Sequence, residues 1–137
     1  MTRMVMLSLG VMLLLGVGIA QADNNISVDS MPPVVVQTFP QAGDTNVNPA
    51  ITEISVTFSK DMMTQEMWSW VMVSKDSFPR ITGDIKYLSD KRTCVAPVKL
   101  EAGKTYVIWF NSPQYNYFKD KNHNSAIPYL LVFQTRK

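Results

Sequence analysis

Residues 51–59, with the sequence ITEISVTFS, alternate apolar and polar side chains. Ile54, Val56 and Phe58 lie on one face of an extended chain, and the polar residues between them lie on the other face. A period of two is typical of a β-strand that has one face in a core and the other in solvent. This stretch therefore predicts a half-buried strand.

Other short apolar segments occur before and after this one, and they are separated by Gly, Pro, Asn and Asp, the residues that favour turns. The expected strands cover residues 34–39, 51–59, 68–74, 84–88, 93–98, 106–111 and 129–135. A single helical turn is compatible with residues 60–66, but no long helical period occurs. About seven short antiparallel strands without a long helix favour an all-β sandwich of two packed sheets.

A turn in the second half of the chain resembles a tyrosine corner. Leu100, Gly103 and Tyr106 are spaced three residues apart, and Tyr106 begins an apolar strand. In such corners the ring packs inside a sandwich while the hydroxyl bonds to backbone a few residues upstream. We therefore interpret Tyr106 as a structural residue.

The first 22 residues have the pattern of a secretory signal peptide. Arg3 supplies a positive charge, residues 4–20 are apolar or weakly polar, and Ala-Gln-Ala at residues 20–22 forms a small-x-small cleavage site. We expect cleavage after residue 22, with retention as a membrane anchor as the alternative. The protein is then exported to a periplasmic, cell-surface or extracellular location, without stable membrane insertion after cleavage.

The remaining part has room for one domain. Residues 23–31 are polar, lack periodicity and precede two prolines, so they predict a flexible tether before a domain over residues 32–137. The chain has one cysteine, Cys94, which excludes an intramolecular disulfide. Packing alone must hold this domain together, and Cys94 is expected to be a small buried hydrophobe.

Charge and motifs exclude several classes of function. Thirteen basic against eleven acidic residues give a net charge of +2, without the clustered basic stripe that nucleic-acid binding requires. Asp120, Asn122 and Asn124 alternate as in a calcium loop, but Ser125 stands where such a loop needs glycine and Leu131 where it needs glutamate. We therefore expect a turn there, and neither a metal nor another cofactor.

The chain contains a single histidine, His123, which limits the catalytic possibilities. Asp120 lies three residues earlier and could orient the imidazole, but no glycine-flanked serine accompanies the pair. The sequence predicts no catalytic residues and no enzyme.

Aromatic residues give the remaining lead to a function. Trp70 falls on an apolar strand and is expected inside, whereas Tyr115 and Tyr117 alternate with polar residues in a segment between strands. Tyr115, Tyr117 and Trp68 are the weak candidates for a platform that holds sugars or peptides. Core packing and ordinary exposed aromatics are the competing explanations.

Motifs at both ends of the domain carry a resemblance to a known family. The first group is PVVVQTFP at residues 33–40, followed by Gly43, Val47, Pro49, Ile54, Val56, Phe58, Ser59 and Met62. The second is Phe118, Lys119, Asp120 and Asn124, followed by Leu130, Val132, Phe133 and Thr135. In this order and spacing, residues 32–135 resemble bacterial Ig-like domains of the SbsA type. The chain has His123 where that family commonly has glycine.

The resemblance implies an Ig-like sandwich and a role similar to that of surface-layer, adhesion or accessory modules, without implying a reaction. Our leading prediction is a non-catalytic exported module of the cell envelope or secreted fraction that acts by surface interaction. The alternative is a carbohydrate-binding module that uses exposed aromatics. The expected partner is a protein or a cell-envelope polysaccharide, and not nucleic acid.

Overall fold

The computed structural model describes residues 16–18 and 25–137. These residues contain eight β-strands and no helix. The strands are β1 Val35–Phe39, β2 Glu53–Phe58, β3 Trp70–Met72, β4 Arg80–Ile81, β5 Lys86–Tyr87, β6 Thr93–Lys99, β7 Thr105–Phe110 and β8 Tyr129–Gln134. The predicted signal peptide, apart from residues 16–18, lies outside the described residues. Within the described part, no helix is long and apolar enough to span a membrane.

The strands form two antiparallel sheets. The first has the order β1-β2-β6-β4, with β5 pairing the same edge of β6 as β4 does, and the second has the order β3-β7-β8. The sheets share one apolar core, as a sandwich requires. The all-β sandwich predicted from the sequence is therefore confirmed.

The core follows the alternation of the strands. Ile54, Val56 and Phe58 of β2 are buried, as the alternation predicts, and they face Ile108 and Phe110 of β7 within one cluster. Residues of β7 that point the other way are only half-buried, so this strand is less covered than its composition suggests. The second sheet therefore keeps one apolar face partly in solvent.

Two local predictions differ from the structure. β4 was not expected, because a ladder of two residues leaves no periodic pattern in the sequence. Residues 60–66 do not form a helical turn. Instead the backbone N–H of Met62 donates to Lys91 O (2.9 Å) and that of Met63 to Lys119 O (2.9 Å). Pairing with two distant segments replaces the local hydrogen bonds that a helix would make.

The tyrosine corner has the expected geometry. Tyr106 is buried, its ring stacks on Phe133 at 5.4 Å, and its hydroxyl accepts a hydrogen bond from the Glu101 N–H (2.8 Å). The Thr135 hydroxyl donates to Glu101 O (2.6 Å) and accepts from the Lys104 N–H (2.9 Å). The corner is thus tied to the end of β8.

Residues 28–31 contact the domain, although the sequence analysis placed them in a tether. The Lys60 ammonium donates to Val28 O (2.8 Å), Asp29 O (2.9 Å) and Met31 O (3.1 Å). The same ammonium pairs with the fully buried Asp120 carboxylate at 2.7 Å. Lys60 therefore links the N-terminal arm, defined here as residues 28–34, to the loop that follows β7. The Ile127 N–H, which donates to Pro33 O (3.0 Å), adds a second link.

Candidate functional site

Strand β3 lies at an edge of the second sheet, and within residues 16–18 and 25–137 only its β7 side is paired. The Asn111 N–H donates to Ser69 O (3.1 Å), so the backbone groups of Ser69 and, two residues on, Val71 point toward β7. By the same alternation, those of Trp70 and Met72 point away from β7. The second edge of β3 therefore presents unpaired donors and acceptors.

A groove of about 510 Å³ follows this edge. Its walls include Trp70, which packs against the core, Met72, which is 51% exposed, and Val71 between them. Because these residues are consecutive in β3, the groove runs along the edge of the strand. The opposite wall belongs to the first sheet and the loops around it. That wall consists of Phe78, Ile81 and Ile85.

The three aromatic residues predicted as ligand candidates all line this groove. Tyr115 and Tyr117 are 55% and 51% exposed, whereas Trp68 is half-buried. Trp70 packs inward with its ring edge-to-face on Phe110 at 4.8 Å, as expected for a core residue. The structure thus brings Trp68 next to Tyr115 and Tyr117, which lie more than forty residues later in the sequence.

Asn111 positions the loop that carries the two tyrosines. It is fully buried and has a left-handed backbone, with φ of 63°. Its side-chain amide donates to Phe118 O (3.0 Å) and Ala126 O (3.1 Å) and accepts from the Phe118 N–H (2.9 Å). All the polar atoms of this side chain are paired, so it fixes both ends of residues 112–126.

Two serines fix the same loop closer to the tyrosines. The Tyr117 N–H donates to the Ser69 hydroxyl (2.9 Å), and the Tyr115 N–H donates to the Ser112 hydroxyl (3.1 Å). Both tyrosine rings are therefore exposed on a backbone that is already held in place. Pre-ordered aromatic rings lose little entropy when a partner binds to them.

The groove continues at both ends. Beyond Met72 and Phe78, a second hollow of about 420 Å³ is lined by Lys75, Arg80, Lys99, Glu101 and Lys104. Beyond Trp68 and Ile85, a third hollow of about 930 Å³ has a mixed polar lining that includes Glu66, Asp84, Lys86 and Lys91. We call the three together the cleft, with a basic end after β3 and a mixed end before it.

The basic end has an excess of positive charge. Lys104 pairs with Glu101 at 3.1 Å, and this hydrogen bond raises the pKa of Lys104. Among the described residues, Lys75, Arg80 and Lys99 form no ion pair. Four cations face the carboxylate of Glu101 and that of Asp76, which also raises the pKa of Lys104, so two positive charges remain in excess. The four cations are not consecutive in sequence, and no run of basic residues predicts this cluster.

The thiol next to the cleft floor is unreactive. Cys94 is fully buried, and burial raises its pKa to about 12, with a smaller opposing effect from Trp70. Burial also raises the pKa of Tyr87, whose hydroxyl donates to Met67 O (3.2 Å). The thiolate needed for redox or nucleophilic chemistry is therefore not populated near neutral pH.

The loop at residues 120–124 is a structural turn. Burial raises the pKa of the Asp120 carboxyl, but hydrogen bonds from Lys60, Asn124 and Asn122 outweigh it and hold the pKa below its usual value. The Lys60 ammonium sits where a cation would bind. Within the described residues no cluster of His, Cys, Asp and Glu is arranged to hold a metal.

His123 does not form the pair with Asp120 that catalysis would need. Its side chain is exposed and makes no hydrogen bond to Asp120 among the described residues, and both carboxylate oxygens already accept hydrogen bonds. Its φ of 65° is left-handed. This conformation explains why glycine suits the position, and it makes His123 a strained turn residue.

The family model for the bacterial Ig-like domain matches residues 29–135. The chain belongs to this family. The resemblance predicted from the sequence is thereby confirmed, and the match begins inside the N-terminal arm that Lys60 holds.

No curated protein matches this Ig-like domain. Among solved structures, the crystal structure of the S-layer protein rSbsC(31-844) is similar, with 16% sequence identity and a TM-score of 0.49. The similarity covers 80% of this chain and 14% of that chain.

Proposed function

We propose that this Ig-like domain is an exported, non-catalytic module of the bacterial cell envelope or secreted fraction that binds a partner in the cleft. The observation that carries the proposal is the convergence of Trp68, Tyr115 and Tyr117 on one groove. The backbone N–H groups of the two tyrosines donate to the Ser69 and Ser112 hydroxyls, and that of the adjoining Phe118 donates to the Asn111 side chain. Exposed aromatics on a rigid support are typical of recognition surfaces.

The chemistry of the polar groups supports a non-catalytic role. Among the described residues His123 makes no hydrogen bond to Asp120, and the Cys94 thiol is buried with a raised pKa. Asp61 accepts from Arg92 (2.9 Å) and Lys121 (3.2 Å), and Asp120 is paired with Lys60. Both acids are engaged in ion pairs with neighbouring cations, which supports a structural role for them.

Export is supported by the signal-peptide pattern of residues 1–22. If the leader is cleaved, mass spectrometry of the exported protein finds Asp23 as its first residue. A mature form that begins at Met1 would instead support a membrane anchor.

The role of the cleft is tested with the exported protein and cell-envelope fractions. We expect saturable binding that falls at least about tenfold in the double variant Tyr115→Ala with Tyr117→Ala. Phe39→Ala is the matched control, because Phe39 is 53% exposed and lies outside the cleft. An equal loss in both variants would place the binding site elsewhere.

A carbohydrate ligand is the second candidate, and a specific observation favours it. Tyr115 and Tyr117 are flanked by Gln114 and Asn116, which are also exposed. Rings that stack on sugars beside amides that bond to hydroxyls form a suitable glycan surface. Titration with soluble glycans and peptidoglycan while following tryptophan fluorescence tests this candidate. A flat response to every polysaccharide would reject it.

A further inference from the structure

We infer that the cleft binds an extended polypeptide strand that pairs with the open edge of β3 and carries acidic residues over the basic end. This inference rests on the proposed function, because it names the partner of the same cleft. Three independent features support it: the unpaired backbone of β3, the apolar floor beside it and the cluster of cations after it.

The edge of β3 is unprotected. Proteins usually protect exposed sheet edges with charged residues, prolines or bulges, since an open edge pairs with other chains. Residues 68–74, WSWVMVS, contain no charge and no proline. The backbone groups of Trp70 and Met72 point toward the groove, spaced as an added strand requires. A polysaccharide has no regular row of N–H and C=O groups with which to match them.

The floor of the groove suits alternate side chains of such a strand. Trp70 and Met72 form one wall, and Phe78, Ile81 and Ile85 form the other. A strand paired with β3 would direct every second side chain into this apolar space and the remaining ones outward. Backbone pairing combined with pockets for alternate side chains is the general mode of peptide binding by β-augmentation.

The charges at the basic end specify the partner further. Lys75, Arg80 and Lys99 have no ion pair in the described part of the chain, and they lie past the C-terminal end of β3. An antiparallel partner strand begins there, so its acidic residues belong near its amino end. Opposite charge at this position fixes the register and accelerates association.

The same charges make a second copy of this chain a poorer occupant. In an antiparallel pair of β3 strands, the mixed end of one copy would lie over the basic end of the other and bring Glu66 and Asp84 near its cations. The mixed end also carries Lys86 and Lys91, which would repel the same cations. An extended partner with acidic residues can form backbone hydrogen bonds with β3 and also neutralise the cations of the basic end.

The test uses synthetic acetylated peptides of about eight residues, enough to span a strand. The first has two aspartates followed by alternating valine and threonine, the second has lysines in place of the aspartates, and the third is the first with its alternate backbone amides N-methylated. Binding to the full mature protein is followed by tryptophan fluorescence and calorimetry. We expect the first peptide to bind at least about tenfold more tightly than either of the others.

Variants of the protein give the matched comparison. Lys75→Glu combined with Arg80→Glu is expected to weaken the aspartate peptide at least about tenfold and to strengthen the lysine peptide. Arg136→Glu is the control, because Arg136 is exposed and lies outside the cleft. It should leave both affinities unchanged.

Several outcomes would overturn the inference. Equal binding of the N-methylated peptide would exclude strand pairing, and no binding of the aspartate peptide up to about 1 mM would exclude this class of partner. Saturable binding of a glycan in the cleft without peptide binding would leave the proposed function standing. Dimers that dissociate in Val73→Lys would make a second copy the occupant. Loss of every cleft-dependent interaction would reject the proposed function as well.

Discussion

The two sides of the sandwich treat their sheet edges differently. We call the side with the edge strands β1 and β8 the closed side, and the side with β3, β4 and β5 the open side. On the closed side, the loop between β1 and β2 covers the edge of β8. The Gly43 N–H donates to Val132 O (2.7 Å), and the Val47 N–H donates to Gln134 O (3.0 Å). On the same side β1 is interrupted by a bulge at Val36. On the open side, β3 has an uncovered edge beside an apolar groove. Because the edges of β1 and β8 are protected, the unprotected edge of β3 indicates a surface for binding another chain.

The buried polar groups of the two sides also hold different parts of the chain. On the closed side, Lys60 and Asp120 hold the N-terminal arm by a buried ion pair. On the open side, Asn111 and Ser69 hold exposed tyrosines. Changes on the closed side should therefore alter stability, and changes at the open edge should alter association.

The largest expected effect is that of Lys60→Met. The variant leaves the buried Asp120 carboxylate without its cation and three carbonyl groups of the arm without their donor. We expect the free energy of unfolding to fall by about 3 to 5 kcal/mol, measured by urea denaturation. Lys99→Met, at an exposed unpaired lysine, is the control and should stay close to the parent. If the two variants had similar free energies of unfolding, the ion pair between Lys60 and Asp120 would not contribute to stability.

The same ion pair gives the closed side an acid dependence. Because the folded pKa of Asp120 lies below its unfolded value, the folded state binds fewer protons and stability rises with pH in that window. The contribution is complete above about pH 4 and is lost as the pH falls through the folded pKa. Asp120→Asn should flatten the acid limb of the stability curve. If the loss of stability at acid pH were the same in this variant, carboxylates other than Asp120 would be its cause.

Asn111→Asp should have the next largest effect, on the open side. The change is isosteric, but it replaces two N–H donors by an oxygen that faces Phe118 O and Ala126 O in a fully buried site. We expect a loss of about 3 kcal/mol in thermal or urea unfolding. Asn48→Asp is the control, since Asn48 only accepts from the Ala50 N–H and aspartate can do the same. Comparable losses in the two variants would contradict the role of the amide.

His123→Gly should have a smaller effect of opposite sign. His123 has φ of 65°, which glycine adopts without strain, so the variant should be more stable by about 0.5 to 1 kcal/mol. Asn122→Gly is the control in the same loop, and it should lose stability because Asn122 has an ordinary φ. Differential scanning calorimetry distinguishes the two, and equal shifts would show that the backbone at residue 123 is not strained.

Val73→Lys should have the smallest effect on stability, within about 0.5 kcal/mol, because Val73 is 55% exposed. It places a charge next to the open edge, so light scattering on heating should show slower self-association. Val36→Lys, at a 61% exposed residue on the bulged edge, is the control and should change association little. Identical behaviour of both variants would mean that the two edges do not differ.

The sequence predicted features that depend on local pattern. The alternation of residues 51–59 predicted β2 and its buried face, and the spacing of Leu100, Gly103 and Tyr106 predicted the corner. The surface position of Tyr115 and Tyr117 followed from their polar neighbours. Each of these signals lies within a few consecutive residues, where chain geometry alone determines which side chains share a face.

Features that depend on contacts between distant segments were not predictable. Most lysines are exposed, and the burial of Lys60 requires Asp120 and the arm to meet it. The role of Asn111 depends on Phe118 and Ala126, which the fold brings back to it. The cations of the basic end come from two distant stretches of the chain, residues 75–80 and 99–104. Contacts between distant residues leave no local pattern in the sequence from which they could be predicted.

The attachment of the N-terminal arm by Lys60 has a mechanical consequence. A pulling force applied to the chain before residue 28 reaches three hydrogen bonds of the Lys60 ammonium, and those from Asn122 to Asp29 O (3.4 Å) and from Ile127 to Pro33 O (3.0 Å), before it loads the ladder between β1 and β2. The arm then acts as a yielding element in series with the sandwich, which extends at low load while the cleft stays assembled. Single-molecule stretching would detect this first extension in the parent protein, and Lys60→Met should lack it.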